Sequence, residues 1–204
     1  MIKAVIFDMD GVLIDAKQWH YDALNKALEL FGYNISTAEH IQTYDGLPTK
    51  DKLKGLTEKV GLPVELHGLI NEMKQVYTMD IVHEKCRPVF LHRYALSNLK
   101  ANGYKLALCS NSIRDTIEIM MKKSRLTEYF DFMLSNQDVT KAKPDPEIYT
   151  KAIEKLQLQP KECVVVEDNI NGITAATKAG ANVFEVQHIK DVTYSNIMNY
   201  IKTL

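Results

Sequence analysis

Apolar positions follow two different rhythms along this chain. Near the start, Ala4 to Phe7 form a short unbroken apolar run, which reads as a buried strand. Residues 15–31 then place His20, Leu24, Ala27, Leu28 and Phe31 at helical spacing, and Gly32 stops that helix. Two shorter helices are predicted over 36–44 and 49–60, separated by Asp45-Gly46-Leu47-Pro48. After Gly61 and Pro63, residues 64–80 repeat the helical pattern with Leu66, Leu69, Ile70, Met73 and Tyr77. No strand is predicted between 15 and 80, and no repeat or low-complexity tract interrupts the chain.

From about residue 82 strands alternate with helices. A helix carrying Tyr94, Leu96 and Leu99 ends at Asn102-Gly103, and a strand follows from Lys105 to Cys109. A helix over 113–123 and a short strand over 132–134 come next. Asp145 and Pro146 open a helix that runs to Leu158, as N-cap and first-turn residue. The β-branched run Cys163 to Val166 reads as a strand. A helix with Ile173 and Ala176 ends at Gly180, a last strand covers Val183 to Val186, and the tail from Val192 to Leu204 is helical. This alternation predicts an α/β fold with a parallel sheet between helices. The strand at the N-terminus belongs to that sheet, so the helical block is an insertion behind it. Ligands of such sheets bind beyond the carboxyl ends of the strands, where an insertion is placed to act as a lid. Hinges are expected near 13–16 and 80–83.

Composition narrows the class. The 204 residues are 46% hydrophobic and 25% charged, with a formal net charge of −1. That balance points to no nucleic-acid or membrane surface. No apolar stretch approaches membrane-spanning length, and no signal peptide is expected. The three cysteines, Cys86, Cys109 and Cys163, are odd in number and widely spaced, which argues against a disulfide framework or a zinc site. They are expected as buried small hydrophobes in a cytoplasmic protein.

The candidate chemistry sits where apolar runs end. Asp8 and Asp10 follow the first strand, with Gly11 behind them to turn the chain. Carboxylates at the mouth of a buried strand need a partner, and a hard divalent cation suits oxygen ligands. Ser110-Asn111-Ser112 follows the second strand, and Ser112 with Asp115 resembles a capping box. A helix N-terminus there makes an anion site. Lys143, in Lys141-Ala142-Lys143-Pro144-Asp145-Pro146, can bind a phosphoryl oxygen and balance the acids, whereas Lys141 is left on the surface. Glu167 and Asp168 end the most apolar strand and offer further ligands.

In order, these segments resemble the four motifs of the haloacid dehalogenase superfamily. They are Phe-Asp-x-Asp-Gly-Val-Leu, Ser-Asn, Lys-Pro-Asp-Pro and Glu-Asp-x-x-x-Gly-Ile. The likeness covers essentially the whole chain and is nearest to the branch of sugar phosphatases and β-phosphoglucomutase. It implies a Rossmann-like parallel core over 1–14 and 82–204, with a four-helix cap over 15–81. It implies Asp8 as nucleophile forming an aspartyl-phosphate and Asp10 as general acid and base. Mg²⁺ would be held by the Asp8 side chain, the Asp10 main-chain carbonyl and Asp168, with Glu167 in or beside that shell. Ser110, Asn111 and Lys143 would bind the phosphoryl group. His20, Gly46 and Lys74 match cap positions that meet substrate. The chain departs from the branch at Asp45 and Thr49, where a lysine and an arginine are usual, and at Cys86-Arg87-Pro88-Val89-Phe90, where a Pro-Gly-Val turn is common. The expectation is a monomeric Mg²⁺-dependent phosphatase acting on a small phosphorylated metabolite, with a phosphosugar mutase as the alternative. An intact second aspartate argues against dehalogenation. A signalling receiver domain is excluded by the insertion of about 65 residues, far beyond ordinary loops.

Overall fold

A computed structural model describes residues 1–204. The chain divides into two compact units, one of Met1–Asp15 with Arg87–Leu204 and one of Ala16–Cys86.

The larger unit is built on five parallel strands: β1 (Ala4–Phe7), β2 (Lys105–Cys109), β3 (Phe132–Leu134), β4 (Cys163–Glu167) and β5 (Asn182–Glu185). Their order across the sheet is β3-β2-β1-β4-β5. The first strand is thus central, flanked by β2 and β4, and this explains its lack of polar residues. Val5, Ile6 and Phe7 are fully buried, and side chains of this size contribute roughly 1.5–3 kcal/mol each on burial. Phe7 pairs in register with both Leu108 and Val166. The three chains therefore leave the sheet at the same edge, and the residues just after each strand share one neighbourhood.

Helices α5 (Phe90–Ala101), α6 (Arg114–Ser124), α7 (Glu147–Leu156), α8 (Ile170–Lys178) and α9 (Tyr194–Ile201) belong to this unit, numbered after the four of the smaller unit. One core layer joins Ala4, Ile6, Ala107, Cys109 and Val165 to Ile148, Tyr149, Ala152 and Ala176. Alternate strand residues, Val5, Phe7, Leu106 and Leu108, are buried too, as a sheet covered on both faces requires. Strand β3 matches its expected span, and β5 starts one residue early. Of the helical trio Tyr94, Leu96 and Leu99, only the two leucines are buried; Tyr94 is exposed and stacks on Phe90 with ring centroids 5.9 Å apart.

The smaller unit is all helical: α1 (Lys17–Glu29), α2 (Thr37–Glu39) continuing as a π-helical turn (His40–Tyr44), α3 (Thr49–Val60) and α4 (His67–Lys85). Its core gathers Leu24, Leu28, Ile35, Tyr44, Leu53, Leu56, Leu62 and Ile70. Asn25 fixes the chain after α1, since its amide donates to Ile35 O (2.8 Å) and accepts from Ile35 N (2.8 Å). Two details correct the sequence reading. Leu69 is exposed, and α4 runs through the expected boundary at 81 to Lys85, with Val82 buried inside it. Residues 80–83 are therefore helix interior, not a hinge. Regular structure stops at Cys86, where the backbone turns extended. All three cysteines are buried and free. No helix is long and apolar enough to cross a membrane.

Candidate active site

Asp8 is the first residue past β1, and its N–H donates to Val166 O (3.0 Å), so its position is tied to β4. The chain then turns tightly. The N–H groups of Leu13 and Ile14 both donate to Met9 O (2.9 Å each), and Gly11 N donates to Ile14 O (2.7 Å). Gly11 adopts φ 89°, a conformation that side chains resist and glycine accepts. This turn brings Ile14 back beside Asp10.

Lys143 is the hub. Its ammonium donates to Asp8 Oδ1 (2.7 Å), Glu167 Oε1 (2.8 Å) and Cys109 O (2.8 Å), and its side chain is only 3% exposed. An ammonium has three N–H donors, and here each has an acceptor from a different strand end. The Tyr149 ring lies beneath it, 4.7 Å from Nζ to the centroid. The Lys143 main chain is clamped as well. Asn111 Oδ1 accepts from Lys143 N (3.1 Å), and Asn111 Nδ2 donates to Lys143 O (3.3 Å). The Lys143–Pro144 peptide bond is cis. Ahead of it, the Glu147 carboxylate accepts from Thr140 N, Thr140 Oγ1 and Lys141 N and pairs with Lys151 at 2.7 Å. These bonds hold the Glu147 pKa down to about 2 and hold the loop that delivers Lys143. Lys141 is exposed, as expected.

Glu167 is buried and fully engaged. Its Oε1 accepts from Lys143 and from Tyr149 OH (2.7 Å), and its Oε2 accepts from Asp168 N (3.0 Å) and Asn169 N (3.2 Å). Gly172 makes room for it, because a Cβ there would overlap the Glu167 carboxylate. Ser110 is buried, and its hydroxyl accepts from Ser112 N (3.0 Å). The capping box expected at Ser112 is absent. Helix α6 begins one residue late, with Ile113 at the N-cap and no side-chain cap. The Ser112 hydroxyl instead donates to Asp10 Oδ2 (3.0 Å).

The charges do not balance. Asp8, Glu167 and Asp168 offer carboxylate oxygens that all lie within 4.8 Å of one another, and Lys143 is the cation paired with two of them. Burial pushes the Asp8 carboxyl well above its ordinary range; Lys143 opposes this, while Glu167, Asp168 and Asp10 add to it. Burial also works against the Lys143 ammonium, but Asp8 and Glu167 outweigh it and hold the lysine charged. A cluster of hard oxygen donors with surplus negative charge fits a divalent cation such as Mg²⁺.

In the helical unit, His20 of α1 and Lys74 of α4 are brought together, with Lys74 Nζ donating to His20 Nδ1 at 3.2 Å. Gly46 has φ 73° in the turn after the π-helical segment. Two buried groups there escaped the sequence reading. His40 lies 3.9 Å from Asp45 through Nε2, and burial, then Lys52, lower its pKa to about 4. Lys52 is itself buried on α3.

Against known proteins, the model of the haloacid dehalogenase-like hydrolase family matches residues 5–186. The chain belongs to that family. The phosphorylated carbohydrates phosphatase of Thermotoga maritima is 31% identical over 196 residues, covering 92% of this chain and 86% of that protein. The phosphoglycolate phosphatase of Nitrosospira multiformis is 31% identical over 199 residues, with 92% and 84% covered. Among solved structures, β-phosphoglucomutase from Clostridium difficile superposes with a TM-score of 0.85 over 100% of this chain and 98% of its own, at 24% identity, a likeness of fold. As a family member the protein is a hydrolase with the family's parallel core and inserted helical unit.

Proposed function

We propose that this hydrolase is a Mg²⁺-dependent phosphatase that releases phosphate from a small phosphorylated metabolite, a sugar phosphate or a similar compound. The observation that carries the reading is the buried Asp8–Lys143–Glu167 cluster with Asp10 two residues beyond the nucleophile position. Phosphatases named among its relatives support it.

In this reading an Asp8 carboxylate oxygen attacks phosphorus. An oxygen–phosphorus bond to Asp8 forms, giving an acyl phosphate, as the substrate's ester P–O bond breaks. Asp10 gives a proton to the departing oxygen, then takes one from the water that cleaves the aspartyl-phosphate, so phosphate leaves and both carboxyls are restored. Phosphoryl transfer needs positioning and charge neutralisation more than covalent assistance. Lys143 and Ser110 would hold the phosphoryl oxygens, and Asn111 holds Lys143 by its main chain. Asp8, Asp168 and the Asp10 carbonyl would hold Mg²⁺, with Glu167 beside them, and the bound ion supplies positive charge against the phosphoryl oxygens. His20, Gly46 and Lys74 are the residues proposed to choose among substrates. A cytoplasmic monomer belongs to the same reading, and three free buried cysteines support its reducing compartment. Transfer to a second sugar hydroxyl, the mutase alternative, has the fold likeness in its favour and the acidic and neutral residues Asp45 and Thr49 against it.

The test is phosphate release from p-nitrophenyl phosphate and a panel of sugar and nucleotide phosphates, with and without Mg²⁺, for wild type and Asp8→Asn. Release that needs both Mg²⁺ and Asp8 is expected. Equal release by the Asp8→Asn protein would overturn the mechanism.

A further inference from the structure

We propose that Ser112 is a positioning residue for Asp10: its hydroxyl fixes the carboxyl plane so that proton exchange with the leaving oxygen occurs at Oδ1. The inference rests on the proposed role of Asp10 as general acid and base. The sequence marks Ser112 only as a helix cap, because Ser-x-x-Asp before a helix reads that way. The structure breaks that reading, since no cap bond forms and the hydroxyl is spent on Asp10 Oδ2 at 3.0 Å.

Three observations make the contact a built one. First, strand register forces it. Phe7 is paired with Leu108, so the segments leaving β1 and β2 run side by side and residues 10 and 112 meet. Second, the Ser112 backbone is held at both ends: its N–H donates to Ser110 Oγ (3.0 Å), and its carbonyl accepts from Asn136 N (3.1 Å). Asn136 also donates through Nδ2 to Asn111 O (2.9 Å), which ties the end of β3 to the same loop. Ser112 is thus aimed by the sheet and not by helix α6. Third, Asp10 lies in the tight turn beyond β1, just ahead of Gly11, and the Ser112 hydroxyl restrains its carboxyl from a different strand's loop. A hydroxyl donor on one carboxyl oxygen provides that restraint and leaves the nucleophile, Asp8, untouched.

A positioning role of this kind has a signature that loss of fold does not share. A sugar or other alkyl phosphate has a poor leaving group that must be protonated, whereas p-nitrophenolate leaves without help. The value of kcat/KM reports the first irreversible step, transfer to Asp8, so it isolates the protonation of the leaving group from the later attack of water. The experiment measures kcat/KM for glucose 6-phosphate, or phosphoglycolate where glucose 6-phosphate is turned over too slowly, beside p-nitrophenyl phosphate. The proteins are wild type, Ser112→Ala, Ser112→Thr and Asp10→Asn, each with its melting temperature. Ser112→Ala is expected to lose about tenfold on the alkyl ester, a fraction of the roughly 10²–10⁴-fold that a positioned acid contributes. Its loss on the aryl ester is expected to be at least about fivefold smaller, and Ser112→Thr, which keeps a hydroxyl, should recover most of the alkyl activity. Equal losses on the two esters, no loss on either, or a threonine variant no better than alanine would overturn the role of Ser112. The Asp10→Asn protein separates the two levels. If it keeps wild-type alkyl turnover, the acid–base reading itself fails; if it loses that turnover while Ser112→Ala keeps it, only the inference about Ser112 fails.

Discussion

The two units handle buried charge in opposite ways. In the sheet unit the carboxylates of Asp8, Glu167 and Asp168 cluster around one lysine, and the surplus is negative. In the helical unit Lys52, Lys74 and His40 are buried, His20 sits beside Lys74, and Asp45 is the acid near His40. The carboxylates of the first kind sit at the ends of paired strands, and Lys143 reaches them from a loop that Asn111 clamps. Charges of the second kind sit on helix faces and are held by side-chain packing. A phosphate ester carries charge to be neutralised and a body to be recognised.

The comparison predicts where substitutions cost most. Lys143→Ala should cost most, because it leaves Asp8 and Glu167 buried without their shared cation. Breaking a buried pair in this way costs about 3–5 kcal/mol, and phosphate release should fall by ~10²-fold or more. Urea unfolding and turnover would check both, and a loss no larger than that of a surface lysine would contradict the hub. Next comes Gly172→Ala. Its Cβ would overlap the Glu167 carboxylate, and overpacking of this kind costs about 1–3 kcal/mol, readable in the same unfolding experiment. Tyr149→Phe keeps the ring under Lys143 but removes the hydroxyl bonded to Glu167 Oε1. With Lys143 still on that oxygen, the expected cost is about 1 kcal/mol. A Tyr149→Phe protein as stable as wild type would mean that the hydroxyl adds nothing there.

A further expected effect lies in the helical unit and depends on pH. Burial and then Lys52 bring the His40 pKa from 6.5 to about 4, with His20 contributing and Asp45 opposing. The unfolded chain then binds a proton near pH 6.5 that the folded one refuses until about pH 4. Stability from a neutral His40 is therefore complete above pH 6.5, falls as pH drops toward 4 and is gone below that. Denaturation at pH 7 and at pH 5 should show a steeper decline for wild type than for His40→Gln. Parallel declines would remove His40 from the account.

The same contrast explains what the sequence could reveal. Strand ends were legible because an apolar run followed by a polar residue is a one-dimensional signal. Asp8, Ser110 and Glu167 follow such runs and the parallel sheet brings them together, whereas Lys143 reaches them from the loop before α7. Ser112 was misread because a capping serine and a serine turned toward a carboxylate look alike until strand register is known. Tyr149 carried no signal in the sequence, since its partner Glu167 is 18 residues away on another element. Lys52 and His40 sit at spacings that surface residues also use, so periodicity could not show that they are buried. Helix α4 overran its expected end because nothing between residues 80 and 86 breaks a helix; the first such residue is Pro88.

The central claim is that Asp8 carries the phosphoryl group. Rapid acid quench of the enzyme during turnover of p-nitrophenyl phosphate, followed by mass mapping of the N-terminal peptide, tests it directly. The account predicts a phosphoryl adduct on Asp8 that appears before phosphate is released and is absent from the Asp8→Asn protein. Phosphate release at the wild-type rate with no adduct at Asp8 at any quench time would contradict it.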